Sequence, residues 1–229
     1  MFYQHDFIKM ISVIVRSYNS AATVKRAMDS ALSQTLPKNE YEIIAIDDGS
    51  TDGTIEILKS FGDSIKLKLQ GHQGSKVAVR RGIAESHGGY VIFLDSDDEL
   101  VPETLWAMIR AFENPRVDFA YCDYVEKKGE ATTTISVKEN IFDCIWTNVM
   151  FKRELFESVG LPEDDIFFGE YDFLIRLLRA GKMGVHIPQA LYIYHRVPGS
   201  MTSNKEAVKK GIEQLREKYG DIVNNIRAY

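Results

Sequence analysis

The chain has 229 residues, 45% of them hydrophobic and 27% charged, with a formal net charge of -5. That length and mixture suit one soluble α/β domain, and the acidic balance argues against gripping nucleic acid or anionic lipid through a general basic field. No apolar run approaches the roughly 18 residues of a membrane span, and the beginning, MFYQHDFIKM, lacks the continuous apolar core of a signal peptide, so the cytoplasm is the expected address.

In chain order, ISVIVR at 11–16 reads as a buried strand, and Ser20 can cap a helix whose Val24, Ala27, Met28, Ala31 and Leu32 recur at helical spacing before Pro37. A second apolar strand, IIAI at 43–46, runs into DDGSTDGT, where Ser50, Thr51 and Asp52 suit a turn and a helix cap; Ile55, Leu58 and Phe61 then mark a helix closed by Gly62. A strand near 64–69, a helix near 75–86 stopped by Gly88 and Gly89, and a strand at 90–94 complete a β-α alternation that implies a parallel sheet. Ligands bind open sheets of this kind at the carboxyl ends of the strands. The loops RSYNS, DDGSTDGT and DSDDEL gather there, so Asp47, Asp48, Asp95 and Asp97 are expected in one crevice. Two unit charges about 4 Å apart repel by roughly 4 kcal/mol at an effective dielectric near 20, and a bound cation would offset that repulsion.

Beyond about residue 115 the alternation weakens: DFAYCDYVEK and TTTISVK read as antiparallel strands about the turn KKGEA, and later helices begin near 152 and 170. Cys122 and Cys144 lack metal-type spacing and read as buried thiols, while His5, His72, His87 and His186 show no paired metal spacing and read as surface or packed residues. The last segment, EAVKKGIEQLREKYGDIVNNI, is an amphipathic helix in which Val208, Ile212 and Leu215 repeat; packing on its own domain is the plain reading, with membrane or homodimer contact as alternatives.

SVIVRSYN at 12–19, IIAIDDGSTDGT at 43–54, AVRRGI at 78–83, FLDSDD at 93–98, GEYDFLIRLLRAG at 169–181 and PGSMTS at 198–203 occur in an order that resembles the family 2 glycosyltransferases with the GT-A fold, over nearly the whole chain. The resemblance implies a Rossmann-like, mainly parallel sheet flanked by helices, with a smaller mixed or antiparallel acceptor side. Within a single domain, 1–100 would bind the nucleotide-sugar, 101–203 the acceptor, and 204–229 would form a C-terminal helix. It also implies transfer of a sugar, with inversion, from a nucleotide diphosphate donor, a UDP-sugar, to a carbohydrate, lipid-linked or other hydroxyl acceptor in polysaccharide or glycoconjugate synthesis. A noncatalytic sugar-nucleotide-binding or scaffold module of the same fold is the alternative.

Residue by residue, Asp95 and Asp97 resemble the D-x-D motif, whose hard oxygens favour Mn2+ or Mg2+. Asp97 is expected to ligate the ion; Asp95, beside Ser96, is expected to reach the ribose, with a second link to the metal. Asp98 and Glu99 read as caps of a helix starting near Pro102. One acid of the pair Asp47 and Asp48 would accept the imide N–H of uracil, and Ser17, Tyr18 and Asn19 would form the opposite wall, Tyr18 packing on the base. The family's A-R-N-x-G-I pattern is altered here, Val79 standing at the arginine position, so Lys76 or Arg80 is expected to take the diphosphate. GEYD departs from E-D-(W/Y)-D and puts Glu170 at the base position, where it would take the acceptor proton, while Asp172 pairs with Arg176 four residues on. Val197 replaces the histidine that often precedes P-G-S; His195 and Arg196 are its displaced neighbours. Trp146 and Tyr124 are candidates for stacking on sugar rings, with core packing as the plainer reading.

A D-x-D after an apolar strand also suits a haloacid-dehalogenase-type phosphatase, but Glu99 stands where that motif wants Thr or Val and the strand comes fourth instead of first. A response-regulator receiver would explain IIAIDD and leave DSDD with GEYD unexplained.

Overall fold

The structure is a computed structural model and describes residues 10–162, 166–196 and 204–226. Its first half alternates as the hydrophobic pattern requires: β1 (Ile11–Ser17), α1 (Val24–Leu32), β2 (Tyr41–Asp47), α2 (Thr54–Lys59), β3 (Lys66–Leu69), α3 (Ser75–Glu85) and β4 (Tyr90–Asp95). β2 is buried along its whole length and β1 nearly so, because helices cover both faces of a parallel sheet and leave no polar side to alternate. The pairing register sets Ser17 beside Asp47 and Arg16 beside Asp95, so these side chains stand at one level on the carboxyl edge. Helix α3 lies hard against β1: a Cβ on Gly82 would come within 2.3 Å of the Ile14 side chain.

The second half supplies β5 (Glu99–Leu100), α4 (Thr104–Ile109), β6 (Phe119–Lys128), β7 (Ala131–Ile135), β8 (Val149–Lys152), α5 (Leu155–Ser158), α6 (Gly169–Arg179), β9 (Gly184–His195) and α7 (Lys205–Tyr219). β8 joins β4 antiparallel, and the sheet continues in the order β3-β2-β1-β4-β8-β6-β9-β5, with β7 paired antiparallel to β6 outside that path. Phe93, Trp146, Phe151, Phe156 and Phe173 form one aromatic cluster, with ring centres 4.9 Å apart for Phe93 and Trp146 and 5.1 Å for Phe156 and Phe173. It ties β4, β8 and α6 into a common core, and stacked or edge-on pairs of this kind add about 0.5–1.5 kcal/mol each beyond their area.

Two local expectations change, and the plain reading of the last helix holds. α1 starts after Thr23 without a side-chain cap; the carbonyl of Ser20 accepts the Thr23 and Val24 amides, and its hydroxyl turns to Ser96 at 2.7 Å. α4 starts at Thr104 and likewise has no side-chain cap, since Asp98 and Glu99 face β9 instead. The apolar face of α7 is covered by its own chain: Val208, Leu215 and Tyr219 are buried, and Gly211 sits so close to Phe167 and Phe168 that a Cβ there would come within 2.8 Å of both. Among the described residues no helix is long and apolar enough to cross a membrane.

Candidate functional site

A cavity of about 820 Å³ opens at the carboxyl edge of β1, β2 and β4 and is closed on its far side by the start of α6. Ser17, Tyr18, Asn19, Asp48, Lys76, Asp95, Ser96, Asp97 and Glu170 all line it; Asp47 and Arg80 do not. Each exclusion has a cause.

Side chains alternate along a strand, so Asp47 and Asp48 face opposite ways at the end of β2. Asp47 is fully buried and accepts hydrogen bonds from Ser17 Oγ (3.0 Å), Ser50 N (2.9 Å) and Ser50 Oγ (2.6 Å), which fastens the turn that Gly49 makes at a φ of 84°. Of the pair, Asp48 is the one that lines the cavity. Its carboxylate accepts from Gln70 Nε2 (2.7 Å), Gln73 N (2.9 Å) and Gly74 N (2.8 Å), with His72 Nδ1 2.8 Å away. Burial alone would raise its pKa, but these donors hold it below the usual carboxylate range.

Lys76 sits in the first turn of α3, at the rim, where its Nζ donates to the Ile166 carbonyl. Arg80 is one turn further along the helix, about 6 Å away at 1.5 Å per residue; it does not line the cavity and donates to the carbonyl of Pro162 on the cavity wall (3.3 Å). The cation in the cavity beside the acids is instead Arg16, which the sequence reading missed. Its Nε donates to Asp95 Oδ1 (2.5 Å) and its Nη2 to Oδ2 (3.0 Å), a two-point fork that follows from the Arg16–Asp95 register. A charged residue one place from the end of the apolar run ISVIVRS was the signal available.

Asp95, Asp97 and Asp98 bring carboxylate oxygens within 4.8 Å of one another. Asp98 is buried and fully engaged, accepting from Tyr192 Oη (2.8 Å) and the His195 amide (2.8 Å); burial, then Asp95 and Asp97, push its carboxyl up to about 8. Asp97 has no ion-pair partner among the described residues, and burial followed by Asp95 raises its carboxyl as well. Arg26 holds this loop from behind by donating to the Asp97 carbonyl at 2.5 Å. Tyr18 is 46% exposed and lies face to face with His72. Asn19, at a φ of 47°, braces the β2 loop by accepting the Thr51 amide at 2.8 Å.

Across the cavity, α6 presents two acids. Asp172 is fully buried, bound by Arg176 Nε (2.9 Å), Lys218 Nζ (2.9 Å) and Tyr219 Oη (2.5 Å). Glu170 faces the cavity with no ion-pair partner among the described residues; burial raises its carboxyl, and nearby Arg16 and Lys76 oppose that rise. Trp146 and Tyr194 complete the wall beside it, while Tyr124 is core. His195 and Arg196 are outside the cavity lining, engaged with Glu99 (2.7 Å) and Glu126 (2.7 Å); Val197 and PGSMTS lie outside the described residues.

The profile of the family described as Glycosyl transferase family 2 matches residues 12–160. The chain is 40% identical over 219 residues to the uncharacterized glycosyltransferase YibD of Escherichia coli K12, covering 81% of this chain and 61% of that protein. It is 28% identical over 191 residues to glycosyltransferase AglE of Haloferax volcanii, covering 76% and 63%; it thus spans less than two thirds of either relative. Among solved structures, TarS 1-349 of Staphylococcus aureus in complex with UDP-GlcNAc superposes with a TM-score of 0.74 at 19% identity, covering 93% of this chain and 70% of that one. The mannosyltransferase PcManGT of Pyrobaculum calidifontis, in complex with GDP-Man and Mn2+, gives 0.76 at 18%, covering 94% and 66%. These structural likenesses show the fold, a GT-A-like α/β architecture with a mixed, curled sheet and flanking helices.

Proposed function

The chain belongs to glycosyl transferase family 2, and we propose that it moves a sugar from a UDP-sugar to an acceptor hydroxyl, with inversion, in the synthesis of a polysaccharide or glycoconjugate. The observation that carries the reading is the convergence of Asp48, Arg16, Asp97 and Glu170 on one cavity. TarS, with UDP-GlcNAc, and PcManGT, with GDP-Man, support a nucleotide-sugar donor. The whole chain serves as one domain, its 1–100 half taking the donor and its 101–203 half the acceptor. It works in the cytoplasm, at the inner membrane face where the acceptor is lipid-linked.

Tyr18 packs on the base and Asp48 accepts its imide N–H, while Ser17, Asn19 and Ser96 shape the ribose wall. Arg16, with Lys76 at the rim, faces the diphosphate and stabilises the charge that builds as the glycosidic bond breaks. Close hard oxygens, with Asp97 lacking an ion-pair partner among the described residues, fit a divalent cation. Asp97, with Asp95, would hold Mn2+ or Mg2+, which when bound would neutralise diphosphate charge. Glu170 takes the proton of the attacking hydroxyl from the opposite face. A carboxyl raised by burial suits a base better than an ordinary one, since a stronger base gains more from the transfer.

The test is Glu170→Gln, assayed by UDP release from a panel of UDP-sugars with and without candidate acceptors. Turnover is expected to fall by about 10²- to 10⁴-fold with UDP affinity and thermal stability unchanged. Wild-type turnover in the variant would reject Glu170. Tight UDP-sugar binding without turnover by the native chain, across acceptors, would favour the noncatalytic module.

A further inference from the structure

The place proposed for the base already holds a flat ring. The imidazole of His72 lies 4.1 Å from the ring centre of Tyr18, with the planes 19° apart. Its Nδ1 is 2.8 Å from Asp48 Oδ2 and 3.2 Å from the Asp48 carbonyl. An ionised carboxylate and a carbonyl only accept, so Nδ1 carries the hydrogen and donates. A carboxylate offers about four acceptor directions, and Asp48 fills them with Gln70, Gln73, Gly74 and His72. Asp48 is 3% exposed, so a ligand reaches it only by displacing one of the four. Two of these donors are backbone amides of the loop entering α3. His72, with a side chain 56% exposed, is the donor free to swing into solvent. Rings one stacking distance apart leave no room for a base between them.

We propose that His72 is a built-in placeholder for the nucleobase and thereby determines which bases the site accepts. Its ring makes the two contacts that the base needs, the face of Tyr18 and the acceptor Asp48, and it leaves when the base enters. The inference rests on the reading of this pocket as the base end of the donor site. Because the competent state is the fraction with His72 displaced, apparent affinity is lowered by that fraction. What replaces the ring must also be flat and carry an N–H at the same edge. Uracil and guanine do so through a ring N–H; cytosine and adenine put an unprotonated ring nitrogen against the carboxylate.

Calorimetry of UDP, GDP, CDP, ADP and inorganic pyrophosphate, with the native chain and with His72→Ala and His72→Phe, tests this. His72→Ala is expected to bind UDP several-fold to about tenfold more tightly, from the lost competing stack and hydrogen bond, with pyrophosphate affinity unmoved. His72→Phe, which keeps the stack and loses the donor, should fall between, and UDP or GDP should exceed CDP and ADP in all three proteins. Unchanged or weaker UDP binding by His72→Ala, where the native chain binds UDP, overturns the placeholder and leaves the base site standing. Pyrophosphate bound as tightly as UDP by all three proteins overturns the base site itself, and the placeholder with it.

Discussion

Around the ends of β2 and β4 the acids mostly come with donors built by neighbouring elements, whereas α6 treats two acids two positions apart in opposite ways. On the sheet edge Asp47, Asp48, Asp95, Asp98 and Glu99 are each engaged, and Asp97 has no ion-pair partner among the described residues. On α6, Asp172 is locked between Arg176, Lys218 and Tyr219, and Glu170 has no such partner. The difference teaches that the partners of an acid, more than its place in a motif, separate scaffolding from chemistry. The two acids without an ion-pair partner among the described residues are the two to which the proposed function assigns metal-holding and proton-taking.

The contrast breaks most visibly at Asp172. Asp172→Ala leaves Arg176 and Lys218 facing each other without their counter-charge, and removing one partner of a buried ionic group costs about 3–5 kcal/mol. Thermal unfolding should therefore fall by roughly 10 °C at this chain length. Burial would raise the Asp172 carboxyl, but Tyr219, Lys218 and Arg176 hold it low. A depressed folded pKa means that its contribution is present above the unfolded value near 3.9 and is lost as pH falls through the folded one. The gap between the native chain and Asp172→Ala should narrow only under acid. A variant that melts like the native chain would place Asp172 with Glu170 and dissolve the distinction.

Glu170→Gln gives the complementary outcome, loss of turnover without loss of stability. In the native chain kcat/KM should rise with pH through an apparent pKa above the ordinary glutamate value of about 4.3, because burial raises this carboxyl and the base must be ionised. That limb should vanish in the glutamine variant; an identical limb in both would assign the proton to another group. Arg16 sharpens the sheet-edge side of the contrast. Arg16→Ala should weaken UDP binding about tenfold or more, the measure of a charge-assisted hydrogen bond at 1.5–3 kcal/mol, and Arg16→Lys should restore part of it. A fall in melting temperature with affinity intact would make the Arg16–Asp95 fork a scaffold pair like that of Asp172.

What the sequence made legible follows the same division. The β-α series, the parallel half of the sheet and the crevice at its carboxyl edge were readable because their signals are continuous, buried strands running straight into polar loops. Side-chain direction within those loops was not. Asp47 and Asp48 are equivalent in a motif and opposite on a strand, and Lys76 and Arg80 share a helix face while only the first reaches the rim. Arg16 owes its place to a register between strands 79 residues apart, and His72 to a stack across two loops. The cavity wall opposite the sheet edge was the least readable, since Trp146, Glu170 and Tyr194 meet from a short turn, a helix and a strand that share no motif.

The comparison is tested most finely at Asp98. This acid has partners as Asp172 does, yet its partners are neutral, a tyrosine hydroxyl and a backbone amide, and two other aspartates stand beside it. Burial, then Asp95 and Asp97, push its carboxyl up to about 8, far above the unfolded value near 3.9. A raised folded pKa means that the stabilising contribution is complete below about pH 4 and is lost as pH rises toward 8. Asparagine stays neutral throughout; its carbonyl can accept the His195 amide while its NH2 donates to Tyr192 Oη. With divalent ions chelated, Asp98→Asn should melt close to the native chain near pH 4 and clearly above it at pH 9, the sign set by the raised carboxyl. If the variant melted lower by the same amount at every pH, Asp98 would already be ionised when buried. Neutral donors would then suffice to hold a buried charge here, and the cationic knot around Asp172 would need another explanation.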